Sequence, residues 1–89
     1  MSQAPDRAQD FPQRVPLKII GHRALMEPAA MAGLIETHLG PQAEADRVHS
    51  VNEKGAYLSI TFWVTLPHDQ AEAPLRAALQ ALPGVVMQL

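Results

Sequence analysis

The amino-acid sequence predicts an α+β domain in the element order βαββαβ, a four-stranded antiparallel sheet with two helices on one face. Three observations predict it. Tyr57 to Leu66 alternates strictly, with Leu58, Ile60, Phe62, Val64 and Leu66 on one side and Tyr57, Ser59, Thr61, Trp63 and Thr65 on the other. That period of two belongs to a strand with one face on a core. Two further segments carry apolar residues at helical spacing and end in Gly/Pro pairs, and short β-branched stretches stand before, between and after them.

The elements follow in order. Residues 1–14 are rich in Gln, Asp, Pro and Ala and are expected to form a mobile tail, with Phe11-Pro12 the first segment to dock; residues 15–89 form the single domain. Leu17–Gly21 is a short first strand. Pro28–Leu39 is a helix, because Met31, Leu34, Ile35 and Leu39 recur at helical spacing, Pro28 suits a first turn and Gly40-Pro41 stops it. Asp46–Asn52 and Ala56–Leu66 are the second and third strands. The second helix runs from about Asp69 to Leu82, with Leu75, Ala78, Leu79 and Leu82 as its stripe. Asp69 and Glu72 have a spacing like that of a capping box. Pro74 means either that the first turn is distorted or that Ala73 caps and Pro74 opens the helix. Pro83-Gly84 ends it, and Val85–Leu89 closes the sheet. With right-handed crossovers this order is the ferredoxin-like split βαβ, whose second sheet face is left open.

The hairpin register decides what lines that open face. A two-residue Lys54-Gly55 turn would pair Arg47 with Phe62 and His49 with Ile60, both polar side chains inside. A three-residue Glu53-Lys54-Gly55 loop, with Gly55 left-handed at a bulge, pairs Val48 with Ile60 and Ser50 with Leu58 instead. Burying an unpaired charge is costly, so the second register is expected. It lines the open face with Arg47, His49, Val51, Tyr57, Ser59, Thr61 and Trp63, joined by Ile20 and Val86.

Composition excludes several functions. A chain of 89 residues, 47% apolar and 18% charged, makes one domain with one small core. A net charge of −2 lacks the basic footprint of a nucleic-acid binder. Without cysteine there are no disulfides, thiolate zinc sites or cysteine nucleophiles. No apolar run is long enough to span a membrane, and the polar start is unlike a secretory signal, so the expected compartment is the cytoplasm.

The run Ser50-x-x-x-Lys54-Gly55-x-Tyr57-x-Ser59-x-Thr61 resembles the central motif of the YbeD-like family, small bacterial proteins of unknown function. Phe11-Pro12 and Lys18-x-x-Gly21 are similar to that family's entry and first strand, and Val85 with Met87-x-Leu89 to its closing strand. The likeness runs over residues 11–89 in one order. It implies a ferredoxin-like domain similar to the amino-acid-sensing ACT modules and a regulatory or ligand-binding role. The neighbourhood of the family's genes implies a link to lipoate metabolism. Arg76 stands where relatives often carry Tyr, and Trp63 is bulkier than the usual residue.

Catalytic and metal chemistry finds little support in the residues. His22, His38, His49 and His68 sit on four different elements without the close ligand spacing of a zinc site. Gly21-His22-Arg23 is shorter and less Gly-rich than an acylphosphatase anion loop, and reads as a strand end with a solvated Arg. The order βαββαβ is shared with the RNA-recognition motif, but Tyr57 and Trp63 miss its base-stacking spacing and the first strand supplies no aromatic. Tyr57 and Trp63 instead suit a contact surface, since each combines apolar area with a polar handle. The expectation is a binding or regulatory module without catalytic activity, cofactor or metal. Its surface would be Arg47, His49, Tyr57, Ser59, Thr61 and Trp63. Its partner would be a small metabolite, another protein, or a second copy through the open face or a strand edge. A pure protein–protein adaptor is the alternative.

Overall fold

A computed structural model describes residues 11–43, 46 and 49–89. The elements are β1 (Gln13–His22), α1 (Pro28–Leu39), β2 (Ser50–Lys54), β3 (Tyr57–Leu66), α2 (Glu72–Gln80) and β4 (Val85–Gln88). They form one four-stranded sheet in the order β2-β3-β1-β4, every pairing antiparallel. The βαββαβ ferredoxin-like architecture is therefore present.

β3 and β1 are the central strands and pair along their full length, from Gln13 opposite Leu66 to His22 opposite Tyr57. Their alternation builds the core: Leu17 and Ile19 of β1 and Leu58, Ile60, Phe62, Val64 and Leu66 of β3 are buried on one face. Met31 and Ile35 of α1 and Leu75 and Leu79 of α2 close over them. Phe11 packs against the same core, on the helix-bearing side. The first strand is longer than the expected Leu17–Gly21 because its N-terminal half pairs with the second half of β3. Gln13 and Arg14, assigned to the tail, are strand residues; residues 1–10 lie outside the described part.

α1 has its expected bounds, with Pro28 in the first turn and Gly40 at φ 85 donating its N–H to Glu36 O at 2.8 Å. α2 opens differently. A 3-10 turn, Asp69–Ala71, leads into it, and neither start carries a side-chain cap hydrogen bond, so Asp69 and Glu72 form no capping box. Pro74 is the third helical residue, where an N–H has no partner within the helix, and it removes no bond. Of the two openings the sequence allowed, the distorted first turn is the one adopted.

The hairpin corrects the expected register. Lys54 pairs with Tyr57, Asn52 with Ser59, Val51 with Ile60 and Ser50 with Thr61, around a two-residue Gly55-Ala56 turn. Gly55 holds φ 62 as the first turn residue, the position glycine takes in a type II′ hairpin. Directly paired residues share a sheet face, so Val51 lies on the helix side and Ser50 on the open side, the reverse of the expectation. β2 also starts at Ser50 rather than Asp46. The physical reason is that β2 is an edge strand with all five residues exposed, so burial imposes no register on it.

Candidate functional site

The open face is best followed in rows across the sheet. Lys54 of β2 stands beside Tyr57 of β3 and His22 of β1, the last two rings 5.1 Å apart. The next row holds Asn52, Ser59, Ile20 and Met87. The third holds Ser50, Thr61 and Lys18, and Lys18 exchanges both backbone hydrogen bonds with Leu89 at 3.2 and 2.8 Å. Beyond these lie Trp63 opposite Pro16, and Thr65 opposite Arg14. Met87, not Val86, faces Ile20, because the ladder shifts by one residue between Ile20 and Gly21.

Small side chains in the middle of this face leave a depression of about 450 Å³, lined by Lys18, Ile20, Asn52, Lys54, Tyr57, Leu58 and Ser59. Lys18 and Lys54 are the two lysines of the chain, and both are here. Among the described residues each arginine has a carboxylate partner: Arg14 with Asp46, Arg23 with Glu53 and Arg76 with Glu72. Neither lysine has one. Glu53 of β2 pairs with Leu58 and so faces the helix side, and among the described residues no carboxylate lines the depression.

Trp63, 39% exposed, is held rather than loose. The Arg14 guanidinium lies 4.4 Å from its ring centroid and donates from Nε and Nη2 to Oδ1 of Asp46 at 3.1 and 2.9 Å. Asp46 is buried, and the same loop sends Gln42 to accept the Thr65 N–H at 3.2 Å. The loop between α1 and β2 is thereby fastened along the edge of β3 that β2 leaves free. A second cavity of about 350 Å³ lies behind this loop, walled by Ala32, Gly33, Ile35, Phe62 and Val64. Its buried carboxylate, Asp46, is already engaged by Arg14.

Of the residues expected to form the surface, Tyr57, Ser59, Thr61 and Trp63 share the open face. His49 does not: it sets its ring 5.1 Å from that of Phe62, on the helix side. Arg47 lies outside the described residues. Sequence reasoning left out Lys18, Asn52 and Lys54 as surface partners, and Arg14 with Asp46 as the support of Trp63. The missed signal is even spacing. Ser50, Asn52 and Lys54 on one strand and Tyr57, Ser59 and Thr61 on the next each step by two, and such residues share a face. Among the described residues no group of His, Asp and Glu could hold a metal ion, and no helix is long and apolar enough to cross a membrane.

Comparison with known proteins agrees with this architecture. The sequence model of a family described as "Protein of unknown function (DUF493)" matches residues 6–89. The chain belongs to DUF493. This is the YbeD-like family that its motifs resemble. No curated protein matches the DUF493 chain significantly. Among solved structures it is similar to the ACT domain from GTP pyrophosphokinase of Chlorobium tepidum, at 12% identity and a TM-score of 0.62. That match covers 85% of this chain and 94% of the other. At that identity the likeness is one of fold, and it places this DUF493 domain among ACT-like, ferredoxin-like structures.

Proposed function

We propose that this protein is a non-catalytic cytoplasmic binding module. In this reading it senses a small metabolite, or modulates a partner enzyme, through the open face of its sheet. The observation that carries the reading is an open face on which Tyr57 and Trp63 are 47% and 39% exposed, Tyr57 lines a depression, and no third layer packs among the described residues. A ligand needs concavity, apolar walls and a few placed polar groups, and this face offers all three. The ACT-like fold and the membership of DUF493 are consistent with a small regulatory or ligand-binding domain. The non-catalytic part is supported by Arg23, the one arginine an acyl-phosphate hydrolase could have used after β1. It sits 3.2 Å from Glu53, a carboxylate that competes with any anion there.

The test is an amide-shift NMR screen of the labelled full chain against pooled metabolites, including amino acids and lipoate-pathway intermediates. Saturable shifts on Tyr57, Ser59, Thr61 and Trp63 support sensing. A silent open face against every pool removes metabolite sensing. The fixed Trp63 favours a second reading, an adaptor that binds protein alone, since rigid aromatics anchor interface centres. In that case a copurifying partner is lost in Trp63→Ala while the spectrum stays silent to metabolites.

A further inference from the structure

The open face differs from the rest of the molecule in its charge. The chain carries net charge −2, yet its two lysines stand on two different strands around one depression. Their isolation has a structural cause. Lys54 pairs with Tyr57 and Lys18 with Thr61, so two strand spacings and four residues separate them, or about 16 Å between Cα atoms by sheet geometry. Between them the floor is Ser59 and the flank is Asn52, both hydrogen-bonding side chains, while Tyr57 and Ile20 supply apolar wall. Two ammonium groups on flexible four-carbon stems can close on a ligand from opposite ends.

We infer that this depression is a binding site for a small, elongated dianion. Its two carboxylate or phosphate ends would pair with Lys18 and Lys54, and its neutral middle would lie over Ser59 between Tyr57 and Asn52. The inference rests on the open-face reading above and narrows it to one ligand chemistry. Two features favour a dianion over a single charge. The lysines lie at opposite ends of the depression instead of side by side, and among the described residues no side-chain carboxylate pairs with either. An amine or a cation would meet two like charges there.

The experiment titrates the labelled full chain with adipate, with pyrophosphate and, at matched ionic strength, with acetate, following amide shifts. Saturable shifts at Lys18, Asn52, Lys54, Tyr57 and Ser59 are expected from adipate or pyrophosphate and not from acetate; which of the two binds tighter separates carboxylate from phosphate recognition. Both lysines are exposed, so Lys18→Met and Lys54→Met leave the core untouched. Each single change should weaken binding a few-fold and the double change about tenfold, the scale of two exposed ion pairs. Arg76→Met, on α2, should leave binding unchanged. Equal shifts from acetate, or full affinity in the double variant, would overturn the dianion site. Open-face shifts from a neutral metabolite that survive the double variant would overturn it too while leaving the binding module standing. An open face silent to every compound would remove both.

Discussion

Replacing Gly21 by alanine should destabilise the domain severely although it adds one methyl group. Gly21 is buried in β1, where the turn before β4 passes across the strand. A Cβ built there would lie 2.2 Å from the Gly84 carbonyl oxygen, 2.9 Å from its carbonyl carbon and 2.6 Å from the Met26 sulfur. The methionine can swing away; the backbone of Gly84 cannot, since Gly84 holds φ 86 and a Cβ of its own would meet Leu25 Cβ at 2.6 Å. The same Gly84 oxygen accepts the His22 N–H at 2.9 Å, so pushing it aside also breaks a hydrogen bond. Overpacking of this kind costs about 1–3 kcal/mol and the lost bond about 1 kcal/mol, together about 2–4 kcal/mol. A domain of this size has only about 4–13 kcal/mol in total. The control is Gly33→Ala. Gly33 is exposed within α1 with nothing within 4 Å of an added Cβ, so alanine there should stabilise by up to about 1 kcal/mol through helix propensity. Thermal unfolding followed by circular dichroism should lower Tm by about 10–25 °C in Gly21→Ala and raise it by a few degrees in Gly33→Ala. A Gly21→Ala protein that melts with the wild type would refute the close approach of the two backbones.

Three further outcomes follow from the same geometry. A double-mutant cycle on Arg14→Ala and Asp46→Ala, read by urea unfolding with Trp63 fluorescence, should give a coupling of about 1–2 kcal/mol, the value of a charge-assisted hydrogen-bonded pair with one buried partner; additive single effects would mean the loop is not fastened by this pair. Gly55→Ala should cost about 1–2 kcal/mol because the turn holds φ 62, and Gly55→Asn should cost less; equal stability of the glycine and alanine proteins would contradict the turn geometry. Wild type and Arg23→Ala should both leave acetyl phosphate at its background hydrolysis rate, and faster release by the wild type would overturn the non-catalytic reading.

The fold was legible wherever burial wrote a pattern into the sequence. β3 shows its alternation because one face meets the core along its whole length, and each of its five inward residues is buried. α1 shows its ends because Pro28 and Gly40 are punctuation with a backbone cause. Legibility failed where burial is absent or shared. The N-terminal half of β1 carries Arg14 and Pro16 on the open face, which breaks up its apolar run, so only Leu17–Gly21 shows a strand signal. β2 is exposed along its whole length and left its register to the turn, where both sequence-based registers placed Lys54 in the loop. The cost of burying Arg47 and His49 selects a register only if they are strand residues; β2 begins at Ser50, after His49, and Arg47 lies outside the described residues.

That register shift is what turns a set of motif residues into a surface. In the expected pairing Ser50 faces the core opposite Leu58 and Lys54 sits in a loop, so the run from Ser50 to Thr61 has several unrelated structural roles. In the observed pairing Ser50 meets Thr61, Asn52 meets Ser59 and Lys54 meets Tyr57, and six side chains form a contiguous patch on one face. Gly55 is the exception and has its own cause, the left-handed turn that sets this register. Lys18 then completes the patch from β1, while Gly21, three residues on, is accounted for by the backbone of Gly84. The two halves of Lys18-x-x-Gly21 therefore separate cleanly: the glycine shapes the fold, and the lysine side chain has no ion-pair partner among the described residues. A solvated lysine on a central strand has no role in the core beneath it. Paired across a small-residue floor with the chain's other lysine, it is the group through which this face is expected to select an anion.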